Sequence, residues 1–262
     1  MQTKKTRLQY LSFVLNNPMM QKFIIPKIHA IPSKATILGQ DAKHISKVLR
    51  LTPGDPIEIT DGDGKDYTAH IAAISPGIIE IDIIHERDVL TESPLHITLC
   101  SGLLKDKKMD LVIKHVTQLG IHKWIPFFCE RSIPSPDEKR MEKRIDRWET
   151  IAKESLKQCR RSKLPQILAP LSFEKLLDHS ATYDVKIAFW ENATQKLDTL
   201  KKDPAALNII LLIGPEGGFS TAEIKMAKEK DFLSYSLGPR ILRAETAAIS
   251  SCTLIQHLLG DI

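Results

Sequence analysis

Residues 208–258 constrain this chain more than any other stretch. They open N-I-I-L-L-I-G-P-E-G-G-F-S-T-A-E-I, continue through a helical run, and reach S-L-G-P-R-I-L-R-A-E-T-A-A-I. Five successive apolar residues, Ile209 to Ile213, carry the signal of a buried strand. Gly214-Pro215-Glu216-Gly217-Gly218 ends that strand sharply. Ser220 followed three residues later by Glu223 is a capping box, so a helix starts there. A second strand is expected over 233–237, closed by Gly238-Pro239, with a second helix from about Glu245. Loops at strand ends of an α/β sheet are where such folds hold ligands. Glycine, lacking Cβ, lets main-chain groups come close to a flat ligand.

Upstream, the pattern changes twice. Residues 22–85 hold short strand candidates at 22–25, 57–60, 66–74 and 78–84. The turns Pro53-Gly54-Asp55, Asp61-Gly62-Asp63-Gly64 and Ser75-Pro76-Gly77 separate them. A helical patch over 41–51 carries His44, Ile45, Val48 and Leu49 at helical spacing. Strands this short and this closely spaced suggest a small barrel. Residues 86–94 are polar and end in Pro94, which reads as a linker. Strands then alternate with helices: strands at 95–100, 124–128, 185–190, 208–213 and 233–237, and helices at 107–119 and 138–159. Such alternation predicts a mostly parallel sheet with helices on both faces. The expected organisation is an extension over 1–21, a β-barrel over 22–87, a linker over 88–94 and an α/β domain over 95–262. In the extension, Lys4, Lys5 and Arg7 precede a short apolar run interrupted by Asn16-Asn17. No small-residue cleavage site follows, so it does not read as a signal peptide, and Met19 and Met20 are alternative starts.

Several function classes find no support. There is no G-x-G-x-x-G after the first strand of the α/β region and no G-x-x-x-x-G-K-[ST]. Cys100, Cys129, Cys159 and Cys252 are scattered without a C-x-x-C pair. Neither a zinc site nor a disulfide framework is expected, and a reducing cytoplasm fits. No apolar run reaches membrane-spanning length. The net charge of +5 hints at a polyanionic partner, and it is local. Residues 139–163 hold ten basic and four acidic side chains, more than the whole chain's excess. Met141, Ile145, Trp148, Ala152 and Leu156 recur there at helical spacing, so one face packs and the basic residues face outward. That face is either simply solvated or a phosphate-contacting surface, with Arg160, Arg161 and Lys163 at its end.

The two motifs I-G-P-E-G-G-F-S and L-G-P-R-I-L-R-A-E-T-A, in this order and each after a strand, resemble a bacterial ribosomal RNA methyltransferase family. Its members methylate N3 of a uridine in 16S rRNA and belong to the SPOUT superfamily. The resemblance covers residues 22–262 and implies an α/β fold. In it, a SPOUT-type parallel-sheet domain carries a trefoil knot and follows a small PUA-like RNA-binding barrel. Val48-Leu49-Arg50 and Pro53-Gly54-Asp55 match the barrel's signature, which marks Arg50 as an RNA contact, although a surface arginine after a helix looks the same. The resemblance also implies S-adenosylmethionine as cofactor, held mainly by backbone of three loops. The positions concerned are Trp190; Ile213, Gly214, Pro215, Glu216, Gly217 and Gly218; and Leu237, Gly238, Ile241, Leu242 and Thr246. No metal is expected. The partners implied are 16S rRNA or the 30S subunit and a second copy of the chain, paired through the apolar C-terminal helix with Ile249, Leu254, Ile255 and Leu258.

Methylation at uridine N3 requires removal of a proton and compensation of charge on the uracil oxygens. Glu245 and Arg243, at a helix start beside the second loop, are assigned those roles. A helix dipole alone also favours an acid at Glu245. Where the family usually carries an acidic residue and a glycine, this chain has Lys157 and Arg160, which makes that surface more basic. Two other readings stay open: a knotted methyltransferase acting on another RNA or position, and a non-catalytic RNA-binding or ribosome-assembly protein.

Overall fold

The structure is a computed structural model that describes residues 20–26, 33–105, 107–132, 138–200, 203 and 205–262. The extension, as far as residue 19, lies outside the described residues. The chain divides into two compact units after Leu90, inside the polar stretch 88–94.

In the first unit a curled sheet follows the order β1-β3-β4-β5-β2. Its strands are β1 (Lys22–Ile24), β2 (Ser33–Leu38), β3 (Pro56–Thr60), β4 (Asp66–Ser75) and β5 (Ile78–Arg87). All pairings are antiparallel except β1 with β3. Period-two alternation sends Ile57, Ile59, Tyr67, Ala69, Ile71, Ile79, Ile81 and Ile83 inward, and all are buried. Register shifts at Thr68/Ala69 and Ile71/Ala73 bend β4 against β5, as bulges do. Sequence reasoning missed β2, whose S-K-A-T-I-L offers little apolar signal. The expected helix over 41–51 is instead α1 (Gly39–Lys43), continued by a π-helical turn over His44–Leu49. The wider winding buries Ile45 completely but leaves Val48 66% exposed, so the expected four-residue face does not form.

The second unit holds β6 (His96–Gly102), α2 (Lys108–Gln118), β7 (Lys123–Phe128), α3 (Glu138–Cys159), β8 (Gln166–Ile167), β9 (Leu171–Ser172) and α4 (Phe173–Asp178). It continues with β10 (Val185–Phe189), β11 (Asn208–Ile213), α5 (Thr221–Glu229), β12 (Leu233–Tyr235) and α6 (Ala244–Leu259). The sheet order is β12-β10-β11-β6-β7-β8, with β9 also on β7, and every pairing is parallel. β11 lies in the middle of it. Ile209, Leu211 and Ile213 join the core that holds α2, α3 and α6, while Ile210 and Leu212 join the core under α4 and α5. Each such fully buried side chain contributes roughly 1.5–3 kcal/mol, which is why an unbroken apolar run marks the strand.

Helix α6 packs through small residues: Ala244, Ala248, Ser251 and Cys252 are all buried. Gln256, also fully buried, donates from Nε2 to the Leu119 carbonyl at 2.8 Å and accepts from Ser93 Oγ at 2.9 Å. Ile255 sits in the protein's own core, so it is not surface for a second copy, whereas Leu254 is 37% exposed.

Candidate functional site

The C-terminal ends of β10, β11 and β12 open into a cavity of about 750 Å³. Of the residues expected to hold a cofactor, Trp190, Ile213, Gly214, Pro215, Glu216, Gly217, Gly218, Leu237, Gly238, Ile241 and Leu242 all line it. β12 is two residues shorter than expected, which frees Ser236 and Leu237 for the third loop. Ile241 stands at the rim, 88% exposed.

Neighbouring elements shape the glycine loop. Gly218 N–H donates to the Pro215 carbonyl at 2.9 Å, closing a turn with Gly218 at φ +67°, a left-handed conformation suited to glycine. A Cβ on Gly102, at the end of β6, would lie 2.6 Å from the Pro215 nitrogen, so the two backbones touch. The expected capping box is present: Glu223 N–H donates to Ser220 Oγ, and Ser220 N–H donates to Glu223 Oε2. Glu216 turns toward α2, accepting from Lys108 Nζ at 3.1 Å and from the Lys105 N–H at 3.3 Å. Burial alone would raise its carboxyl pKa, but the Lys108 hydrogen bond and charge and nearby N–H groups hold it below the ordinary value. The lining residues outside the expected set include Lys108, Glu191 and Ala247, the first two of which belong to no glycine motif.

Arg243 is the N-cap of α6; it is exposed and lines the cavity. Glu245 does not line it. Its side chain is buried, and Oε2 is a buried oxygen with no hydrogen-bond partner. An unpartnered buried acceptor costs about 1–3 kcal/mol, and the α6 dipole offsets part of that. Thr246 is exposed and lies outside the cavity wall, a correction to its expected place: in helical winding it points away from the face that Ala244 and Ala247 present.

The expected RNA contacts separate. Arg50 is exposed, in a left-handed conformation that ends the π-helical turn. Arg160 is also left-handed, at φ +64°, and half-buried like Lys163. Arg161 is corrected: it is only 4% exposed and cannot reach a phosphate. Its Nε and Nη2 donate to Glu92 Oε2 at 3.1 and 2.7 Å, and Nη1 donates to the Thr117 carbonyl at 2.8 Å. Glu92 Oε1 accepts the Ser162 and Lys163 N–H groups at 2.7 and 3.0 Å. Burial pushes the Glu92 carboxyl up, yet Arg161 and those N–H groups hold it below its usual value. Among the described residues, no group of three or more His, Cys, Asp or Glu could hold a metal ion, and no helix is long and apolar enough to cross a membrane.

Comparison with known proteins agrees with this geometry. The family model for the RNA methyltransferase domain matches residues 91–256, and that for the RNA methyltransferase PUA domain matches residues 37–84. Ribosomal RNA small subunit methyltransferase E of Bacillus subtilis (strain 168) is 30% identical over 236 residues, 86% of this chain and 92% of that protein. The protein of the same name from Buchnera aphidicola subsp. Schizaphis graminum (strain Sg) is 34% identical over 220 residues, 84% of this chain and 88% of that one. A crystal structure of ribosomal RNA small subunit methyltransferase E from Neisseria gonorrhoeae, bound to S-adenosyl methionine, superposes with a TM-score of 0.86. That protein is 30% identical, and the match covers 93% of this chain and 99% of that one. A glycine loop after the central strand, a second Gly-Pro loop beside it and relatives matched over nearly their whole length lead to one conclusion: this chain belongs to the ribosomal RNA small subunit methyltransferase E family of RNA methyltransferases.

Proposed function

We propose that this protein methylates N3 of a uridine in 16S ribosomal RNA of the small subunit, using S-adenosylmethionine. The cavity at the ends of β10, β11 and β12 carries this reading, because its wall joins backbone turns and apolar side chains to a few charged groups, Lys108, Glu191, Glu216, Arg240 and Arg243. Such a wall fits a flat nucleoside with an amino-acid tail: Gly214 to Gly218 and Leu237 to Leu242 offer main-chain donors and acceptors, and Ile213 and Trp190 offer apolar surface. The bound cofactor supplies an electrophilic methyl group. Arg243, exposed at the cavity rim, offsets negative charge that develops on the uracil oxygens. Glu245, next to the wall residue Ala244, accepts the N3 proton in this reading; its Oε2 has no hydrogen-bond partner, and the role requires the carboxylate to reach the cavity from its buried position outside the wall. Arg50 in the first unit and Arg160 and Lys163 in the second hold the RNA backbone. A PUA-like barrel over 22–87, a linker over 88–94, a C-terminal domain knotted through α6, a homodimer and a cytoplasmic setting complete the reading.

The test is methyl transfer from labelled S-adenosylmethionine to small subunits or 16S rRNA lacking the modification, with the product nucleoside mapped by mass. Label in 3-methyluridine is the expected result. Label in another nucleoside would move the activity to another position, and no transfer would leave an RNA-binding protein.

A further inference from the structure

The glycine loop is gripped from outside by a residue that lies beyond both cofactor motifs. Arg131, exposed in the turn after β7, donates from Nη1 to the Gly217 carbonyl at 2.9 Å and lies 3.5 Å from the Phe219 carbonyl oxygen. The preceding residue joins the same grip: Glu130 N–H donates to Glu223 Oε1 at 2.8 Å, on the carboxylate that caps α5. The turn is itself tied, since Cys129 N–H donates to Ser132 Oγ and Ser132 N–H to the Cys129 carbonyl, both at 2.9 Å.

These contacts change the reason for the doubled glycine. A Cβ on Gly217 would lie 3.0 Å from Arg131 Cβ, and a Cβ on Gly218 would lie 2.5 Å from Glu191 Oε1. The space at each glycine is filled by a side chain of this protein, cationic on one side and anionic on the other. A peptide unit is planar, with C=O and N–H on opposite sides. Holding the Gly217 carbonyl therefore fixes the Gly218 N–H, which donates to the Pro215 carbonyl. Holding the Phe219 carbonyl likewise fixes the Ser220 N–H, which donates to Glu223.

We infer that Arg131 is a positioning residue for the cofactor: its guanidinium presets the Gly214–Gly218 loop in the binding shape without lining the cavity itself. The inference rests on the proposed cofactor site. Loss of a charge-assisted hydrogen bond that preorganises a binding loop corresponds to about a tenfold change in affinity.

The experiment measures S-adenosylmethionine affinity by calorimetry, and single-turnover methyl transfer at saturating cofactor, for wild type, Arg131→Ala and Arg131→Lys. Arg131→Ala should bind about tenfold more weakly while its saturated rate stays within about threefold of wild type, and Arg131→Lys should fall between. Millimolar guanidinium ion should restore affinity to Arg131→Ala and leave wild type unchanged, a response that general loosening of the fold would not give. Unchanged affinity in Arg131→Ala, or affinity lost without guanidinium rescue or recovery in Arg131→Lys, overturns the inference while wild type still binds and turns over. Failure of the wild type to bind S-adenosylmethionine overturns the functional reading, and the inference with it.

Discussion

Arg161 stands in a run of basic residues that reads as an RNA-binding end, yet the fold uses it as an internal strut, so Arg161→Ala should destabilise the protein and spare RNA binding. Its side chain is 5% accessible and that of Glu92 is 22% accessible. The substitution removes two donors to Glu92 and the donor to the Thr117 carbonyl. Breaking a buried pair by removing one partner costs about 3–5 kcal/mol. Glu92 keeps two main-chain donors and some water, which places the loss near the lower end, about 3 kcal/mol. For a unit of this size that is a fall of roughly 6–12 °C in Tm. Thermal and urea unfolding measure it. The pH dependence supplies a second reading, because a carboxyl held below its ordinary value stabilises the fold at pH above its unfolded pKa. That contribution is lost as pH falls through the folded value. Stability of the wild type should therefore fall in acid more steeply than that of Arg161→Ala. RNA affinity measured against salt should keep its slope in Arg161→Ala and flatten in the double variant Arg160→Gln, Lys163→Gln, which removes two proposed phosphate contacts. An unchanged Tm together with a flattened salt slope for Arg161→Ala would refute the assignment.

Arg243→Ala and Glu245→Gln should keep most cofactor affinity and lose about 100-fold or more in single-turnover rate. Alkaline pH should partly rescue only Glu245→Gln, since uridine is then partly ionised without a base; a wild-type rate for that variant at neutral pH would reduce Glu245 to a helix-start carboxylate. Gly218→Val places a branched side chain at φ +67° against Glu191, so cofactor affinity by calorimetry should be abolished with far-UV circular dichroism retained, and normal affinity would move the cofactor elsewhere. Light scattering at micromolar concentration should give twice the chain mass, and a monomer mass would remove the proposed homodimer.

Local chemistry made much of this fold legible in the sequence. Ile209 to Ile213 is a short apolar run, rich in β-branched isoleucine and stopped by Gly214-Pro215, which favours a strand buried on both faces, and Asn208–Ile213 is the strand found. Ser220 and Glu223 could be paired by eye because a capping box spans three residues. The helix Glu138–Cys159 matches the helix expected over about 138–159, since its apolar stripe repeats over several turns. Short strands such as Gln166–Ile167 and Leu171–Ser172, and the helix Phe173–Asp178, went unread because too few residues repeat to show a period. The glycine motifs likewise located the cavity, because loops after parallel strands gather at one edge of the sheet.

Side-chain partners distant in the chain are a different matter. Arg161 and Lys163 look alike as sequence, and only the approach of Glu92, 69 residues away, turns one of them inward. The doubled glycine reads as room for a ligand until Arg131 and Glu191, from two other strand ends, are found filling the space beside it. Sequence periodicity and turn chemistry act over a few residues, so by themselves they determined the longer elements of the second unit, its sheet type and the place of the two glycine loops. Charge pairing and steric exclusion act through space between residues that only the folded chain brings together, and tertiary structure alone decided which arginine is a strut, which grips the loop and which stands at the cavity.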